Sequence, residues 1–326
     1  MIYNFFLWGD VMRQDIGNIV AVTSTGEDKI ILFDKDGFEI IEEFQLTTSD
    51  GESGSNNYFG PHGFAMDANK KYMYVANSYN GSVSVIDMLA GKVIESIYVG
   101  TSPCHLDICK RNNYLYVSNY DSDTVSGIDL QKNAVAVQIP VDRMPHDIHV
   151  SNDGKKVYVS CLGSEEIIII DTDKNNICGH IYLECCAMHI KTCRHNLNMF
   201  ACCSKFNCDN QGIVCIIDMA LEKVVKKIKI GMYLTDIALR EKSKEIILLD
   251  AETNYIYKLN MDNGNLIGNN ETGSFPSCLG IDEEKKIAIV GTHIDNTIEI
   301  YDLDSLNRIK RIKVGKDLNY ISPLIQ

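Results

Sequence analysis

The stretch "YMYVANSYNGSVSVID" (residues 72–87) recurs 42 positions later as "YLYVSNYDSDTVSGID" (residues 114–129). The two segments share Tyr, Tyr-Val, Asn, Val-Ser and Ile-Asp at matched places. Self-similarity at a fixed period of this length is typical of solenoids, propellers and other arrays, in which one repeat packs on the next.

The acidic residue that closes each such segment marks a period along the whole chain. Seven copies close at Asp34, Asp87, Asp129, Asp171, Asp218, Asn260 and Asp302, and the steps between them are 53, 42, 42, 47, 42 and 42 residues. Each copy holds four short runs of alternating or β-branched residues, separated by turn-forming Asn, Gly and Asp clusters. The sequence therefore predicts an all-β fold, a seven-bladed β-propeller of four-stranded blades. Each closing Asp is expected to accept backbone hydrogen bonds in the turn that follows.

The motifs "YVAN" (74–77), "YVSN" (116–119), "VSVID" (83–87) and "IYVG" (97–100) belong to one blade pattern. This pattern resembles the YVTN-repeat family of propellers, which is related to surface-layer and cytochrome-type propeller domains. The resemblance covers residues 17–326 and implies one propeller domain there, with residues 1–16 as an N-terminal extension.

Ring closure is predicted from the number of innermost strands. Six of them lie between copies, and a seventh run, "LNYISPL" (318–324), follows the last copy. We expect this C-terminal strand to complete the first blade and remove an open sheet edge. The rival for that place is "WGDVMRQ" (8–14).

Composition limits the class of partner. The chain has 31 basic and 44 acidic residues, a net charge of −13, which argues against a nucleic-acid or anionic-membrane partner. The N-terminal "MIYNFFLWGD" lacks a basic leader and a cleavage site, so we expect no signal peptide or membrane span. The twelve cysteines are then expected to be reduced thiols in the cytoplasm.

Two insertions break the period, at residues 47–60 and 203–212. Loops that lead into an innermost strand and loops between second and third strands emerge on the same face of a propeller, here called the top. Both insertions are therefore predicted on the top face, where loops on a rigid scaffold often carry function.

The innermost strands also begin at the top, at the mouth of the central channel. Their first register position holds His62, Cys104, His146, Met188, Thr235, Ser277 and Asn319. The second holds Gly63, His105, Asp147, His189, Asp236, Cys278 and Tyr320. The third is uniformly apolar and is predicted to pack between blades.

Four of the eight histidines fall in these two register positions on consecutive blades: His62, His105, His146 and His189. Imidazole is the commonest transition-metal ligand, so a Cu, Fe or Zn ion is the candidate cofactor. Propellers similar to this one in denitrification enzymes hold metal centres with inner-strand histidines. Asp147 and Asp236 are the candidate catalytic bases. A small-ligand site, or a purely structural ring around a water-filled channel, remains open.

Four further residues complete the candidate ligand-binding set. Cys104 and Tyr320 share the register of the histidines, and Asn77 and Asn119 come from the YVxN motif.

Cysteines cluster in one segment, with nine of the twelve between residues 161 and 215. No C-x-x-C pair is present, so the usual zinc-ribbon and redox spacings are missing. Inert buried thiols are one interpretation, and a soft-metal or thiol-redox site near His189 is the other.

The sequence thus favours a propeller that binds a small molecule, a metal ion or a protein at its top face. The alternative is a metal-dependent enzyme, an oxidoreductase, hydrolase or lyase, that uses the same histidines.

Overall fold

The computed structural model describes residues 16–47, 58–193, 197–205 and 210–324. These residues form seven four-stranded sheets in which all neighbouring strands are antiparallel. Each innermost strand contacts the innermost strands of the two adjacent sheets, and the last of them contacts the first, so the ring is closed. The predicted seven-bladed propeller is confirmed.

The strands follow one another from the channel outward in every blade except the first. In chain order, the first three blades contain β1 (Ile19–Ser24), β2 (Lys29–Asp34), β3 (Glu39–Gln45), β4 (Pro61–Met66), β5 (Tyr72–Asn77), β6 (Ser82–Asp87), β7 (Lys92–Tyr98), β8 (Pro103–Cys109), β9 (Tyr114–Asn119), β10 (Thr124–Asp129) and β11 (Ala134–Pro140). Blades 4 and 5 contain β12 (Pro145–Val150), β13 (Lys156–Cys161), β14 (Glu166–Asp171), β15 (Asn176–Tyr182), β16 (Cys186–Thr192), β17 (Asn198–Lys205), β18 (Gln211–Asp218) and β19 (Lys223–Lys229). Blades 6 and 7 and the closing strand contain β20 (Leu234–Arg240), β21 (Glu245–Asp250), β22 (Tyr255–Asn260), β23 (Leu266–Glu271), β24 (Pro276–Asp282), β25 (Ile287–Thr292), β26 (Thr297–Asp302), β27 (Arg308–Lys313) and β28 (Leu318–Pro323). Two short 3₁₀ helices, Ile16–Asn18 and Thr25–Glu27, flank β1.

The C-terminal strand completes the first blade, as predicted. β28 pairs antiparallel with β1, giving the order β28-β1-β2-β3. Pro323 is tolerated because the free side of an innermost strand needs no ladder hydrogen bond. The rival segment, residues 8–14, lies outside the described residues, as do 48–57 and 206–209 within the two predicted insertions.

The closing acidic residues cap turns. Oδ1 of Asp87 accepts hydrogen bonds from the backbone N–H groups of Leu89 and Ala90. The same pattern recurs at Asp171 and Asp218, and Asn260 reproduces it with its amide oxygen. The predicted structural role of this series is therefore confirmed.

The core is divided among the blade interfaces. Within the described residues, seven apolar clusters occur, and each joins two adjacent blades. Val75 and Val117, from the second strands of blades 2 and 3, are fully buried in this way. Full burial of such a side chain contributes roughly 1.5–3 kcal/mol, so each blade stabilises its neighbours.

The described part of the chain contains no helix that is long and apolar enough to cross a membrane.

Candidate functional site

A β-bulge positions the side chains at the top of every innermost strand. The pairing register shifts at the first and second register positions in all seven blades, for example between Pro61 and Phe64 and between Pro145 and Ile148. A bulge places two residues opposite one and re-aims their side chains. The polar register positions predicted from the sequence are therefore those at which the ladder is interrupted.

The bulges bring the four predicted histidines, from β4, β8, β12 and β16, into one cluster. His105 lies at its centre, with ring centroids 4.8 Å from His62, 4.9 Å from His146 and 4.8 Å from His189. The rings pack edge to face, and His105, His146 and His189 are buried. One ring nitrogen from each of these three lies within 4.8 Å of the others. Four blades thus supply one compact set of imidazoles.

A backbone contact fixes the tautomer of His146. Its Nδ1 lies 2.9 Å from the carbonyl oxygen of Met188 on the next blade, and a carbonyl can only accept, so Nδ1 carries the proton. Thr235 and Ser277, at the same register position, also donate to the backbone of the next blade. This type of hydrogen bond therefore recurs between blades and is not specific to histidine. What distinguishes His146 is that its Nε2 keeps a lone pair, the arrangement typical of metal-bound histidines.

Two other imidazole nitrogens in the cluster, His62 Nδ1 and His105 Nε2, are buried without a hydrogen-bond partner. An unsatisfied buried polar atom costs roughly 1–3 kcal/mol, so native proteins rarely keep several together. A bound ion or ligand would supply the partner that these nitrogens lack.

Burial keeps most of these imidazoles neutral. It lowers the pKa of His62 to about 3 and that of His146 to about 4, and neighbouring imidazoles add to both effects. The pKa of His105 is also well below its usual range, because of burial and the nearby His62. Neutral imidazoles have the free lone pair that a metal requires.

His189 is the member of the cluster whose pKa is raised. Burial alone would lower its pKa, but the carboxylates of Asp236 and Asp147 raise it. Its Nδ1 lies 3.4 Å from Asp147 Oδ2, an ion-pair contact without hydrogen-bond geometry. Although burial opposes it, Lys191 and His189 hold the pKa of Asp147 well below its usual range.

The two candidate bases have a structural task instead. Asp147 accepts hydrogen bonds from the backbone N–H groups of Ile148 on its own strand and Ile190 on the next blade. Asp236 does the same with Ile237 and Leu279. Both carboxylates therefore clamp neighbouring innermost strands, and this use of both oxygens disfavours a role as general base.

The predicted ligand-binding residues separate into two groups. Cys104 lies with His62 and His146 in a second set of possible ligand atoms within 4.8 Å, although burial raises the pKa of its thiol to about 12. The Tyr320 ring packs edge-on against His105, with centroids 5.5 Å apart.

Asn77 and Asn119 are not brought to the histidine cluster by any described contact. Both are fully buried, and each amide donates to two hydroxyl groups of the adjacent third strand, such as Ser82 and Ser84 for Asn77. The YVxN asparagines are thus part of the packing within a blade.

A cavity of about 910 Å³ opens above the cluster at the top of the channel. His62, Cys104 and His146 lie in its lining, whose other members are Tyr120, Arg143, Met144, Leu162, Gly163, Ser164, Glu165, Cys186, Met188 and Tyr233. Sequence reasoning missed Tyr120, Arg143 and Tyr233. Their signal is positional, because Tyr120 directly follows a YVxN motif and Arg143 lies just before an innermost strand.

Residues 14–152 match the family model of the cytochrome D1 heme domain. This segment contains His62, His105 and His146, whereas His189 lies beyond it. No curated protein sequence matches the chain at a significant level.

Three solved structures share the fold at low sequence identity. Hydrazine synthase of Kuenenia stuttgartiensis aligns with a TM-score of 0.74 and 20% identity over 83% of this chain and 92% of that one. The dihydro-heme d1 dehydrogenase NirN in complex with DHE aligns with a TM-score of 0.68 and 14% identity over 95% and 76%. A putative 6-phosphogluconolactonase from Bacteroides fragilis aligns with a TM-score of 0.75 and 16% identity over 95% and 98%.

The residues present do not fit a haem well. The imidazole rings contact one another directly, so an ion held among them has no room for a surrounding macrocycle. A haem on the cavity floor could use His146, but its carboxylates would need cations. Among the described lining residues, Arg143 is balanced by Glu165, and the histidines there are neutral.

The blade repeats, the ring of seven sheets and the match to the haem-domain model agree with one another. The chain is a seven-bladed β-propeller, and its residues 14–152 are similar to the cytochrome D1 heme domain.

Proposed function

We propose that this propeller is a binding module for a transition-metal ion, Cu, Fe or Zn, held at the top mouth of its channel. His105, His146 and His189 supply three imidazole ligands, and His62 lies beside them as a fourth. The observation that carries the proposal is the group of buried imidazole nitrogens without partners, together with the fixed tautomer of His146.

Charge supports the same proposal. His62, His105 and His146 are neutral and need no deprotonation before they bind an ion. His189 must lose its proton, after which Asp147 can orient the ring as carboxylates orient metal-bound histidines. Metal binding should therefore weaken as the pH falls through the raised pKa of His189.

Titration of the full-length, metal-free protein with Co(II), followed by its ligand-field spectrum, tests this proposal. We expect saturation at about one equivalent in the native protein. His105→Ala and His146→Ala should each weaken binding by at least about tenfold, since even outer partners of ligands are worth that much. The half-exposed His293, paired with Asp317 outside the cluster, provides the control His293→Ala. Equal binding by all four proteins would contradict the proposal.

A haemin titration of the same samples tests the other cofactor. We expect no stoichiometric change in the haemin spectrum. A saturable spectral change that His146→Ala abolishes would assign the cavity to a haem instead.

Metal-dependent catalysis is the second candidate function, and one observation favours it. His62, Cys104 and His146 line the open cavity, so an ion bound near them would be accessible to a small molecule. Azide added to the Co(II)-loaded protein should then change its spectrum. An unchanged spectrum would show a closed ion site and exclude this candidate.

A further inference from the structure

A second group of ligand atoms lies in blade 5, within the cysteine-rich segment. Cys185 precedes β16, Cys203 lies on β17 and Cys215 on β18, and all three are fully buried. Their sulfur atoms meet at the interface with blade 4, with Sγ–Sγ distances of 3.7 Å for Cys185–Cys215 and 3.8 Å for Cys203–Cys215. The third pair also lies within 4.8 Å.

These separations match those of sulfur ligands around one ion. With metal–sulfur bonds of about 2.3 Å, S–metal–S angles of 109–120° place the sulfurs about 3.7–4.0 Å apart. Two of the three pairs already have this spacing. The third pair, which lies within 4.8 Å, needs to close by at most about 0.8 Å to reach the same range.

From this geometry we infer that Cys185, Cys203 and Cys215 form a trigonal thiolate site for a soft ion, and that Cu(I) is its occupant. Soft sulfur ligands select soft ions. Structural zinc sites are almost always four-coordinate, and the sulfur group contains three ligands among the described residues. A trigonal Cu(I) centre needs no fourth ligand.

The surroundings of the three sulfurs favour a bound cation. Hydrogen bonds with the thiols of Cys185 and Cys203 lower the pKa of Cys215. Lys227, directly opposite Cys215 on β19, lies near the sulfurs and donates to Glu184. Burial would lower the pKa of Lys227, but the bond to Glu184 and the adjacent thiols raise it, so a positive charge remains to offset the thiolates.

The loop that precedes β16 borders both the surface and the large cavity. Glu184, which precedes Cys185, is exposed, and Cys186, which follows it, lines the large cavity. A small outward movement of this loop would expose Cys185 without disturbing β17 or β18. The site is separate from the imidazole cluster and does not depend on the function proposed for it.

Competition between the full-length protein and the Cu(I) chelator bicinchoninate, under anaerobic conditions, tests the site. We expect the native protein to hold about one equivalent in a shell of three sulfurs, measured by X-ray absorption at the copper edge. Cys203→Ala should weaken Cu(I) binding by at least about tenfold. The control is Cys202→Ala, which removes an equally buried thiol from the opposite face of the same strand and should change nothing.

His146→Ala separates this site from the proposed imidazole site. Sulfur-bound Cu(I) should persist in that variant even if Co(II) binding is lost. In His146→Ala, no retained Cu(I) or a nitrogen shell around the copper would overturn the inference, and so would equal losses in Cys203→Ala and Cys202→Ala.

If Cys203→Ala does not fold, alkylation of the native protein tests the cysteine site instead. After brief exposure to urea with and without Cu(I), iodoacetamide labelling is mapped by mass spectrometry. We expect Cu(I) to protect Cys185, Cys203 and Cys215 and to leave Cys202 and Cys278 unaffected. Uniform labelling or uniform protection would contradict the site.

Discussion

At the scale of single residues, His146 illustrates how burial and one backbone contact set the protonation state of a common side chain. The ring donates through Nδ1 to Met188, keeps Nε2 free, and is neutral because burial lowers its pKa to about 4. Each property follows from where the bulge of β12 places the ring. None of them can be read from the residue type alone.

The lowered pKa of His146 predicts a pH-dependent stability of the metal-free protein. The unfolded chain binds this proton below about pH 6.5, whereas the folded protein does so below about pH 4. Stability should therefore be complete above pH 6.5 and fall as the pH drops toward 4, by on the order of 3 kcal/mol from this group.

His146→Gln tests that prediction, because glutamine keeps a donor for Met188 but does not titrate. Urea unfolding between pH 4 and 7 should show a shallower loss of stability in this variant than in the native protein. His293→Gln is the matched exposed control. Equal pH profiles for native protein and His146→Gln would refute the neutral buried state.

At the scale of structural elements, the innermost strands are connected by side chains rather than by a shared ladder. Asp147 accepts backbone N–H groups from β12 and β16, and Asp236 from β20 and β24. The sequence placed both residues in the channel register but suggested a catalytic use. Hydrogen-bond direction between blades depends on the bulge geometry, which the repeat does not encode.

Asp147→Asn and Asp236→Asn are expected to destabilise the fold by similar amounts. Asparagine has one acceptor oxygen, so one clamped N–H is left unpaired at a cost of about 1–3 kcal/mol. Asp147→Asn should also lower the pKa of His189, since it removes a neighbouring carboxylate. Chemical denaturation and an NMR titration of His189 measure the two effects. Unchanged stability in both variants would show that the clamps contribute nothing.

At the scale of the whole molecule, the ring depends on a contact between the two ends of the chain. β28 pairs with β1 and buries Leu318 and Ile321 against blade 7. Deleting residues 316–326 should expose the edge of β1 and remove this contact. We expect a lower melting temperature and a less cooperative transition by calorimetry.

Ile321→Asp provides a milder version of the same experiment, since it keeps the strand but places a charge in the interface. It should also lower the melting temperature, because an unpaired buried charge is costly. A truncated protein that melts like the full chain would mean that another segment pairs with β1.

The sequence predicts the large-scale organisation better than the site. A period of about 42 residues and seven closing residues, six Asp and one Asn, are enough to predict the blades, the capped turns and the closing strand. The same register brings His62, His105, His146 and His189 together. The cavity walls at Tyr120, Arg143 and Tyr233 come from loops, whose paths the period does not determine.

Asn77 and Asn119 show the opposite case, in which a repeated motif suggested a ligand role. The structure uses both amides between strands of one blade, because residues on a second strand lie behind the channel wall. Repetition alone therefore cannot separate packing residues from channel residues.

The most direct measurement of the central claim is the elemental content of the full-length protein purified without oxygen or chelators. We expect that replacing His105, His146 and His189 by alanine removes about one equivalent of Cu, Fe or Zn, whereas copper held by the three sulfurs remains. Less than about a tenth of an equivalent, or a content that these substitutions leave unchanged, would contradict it.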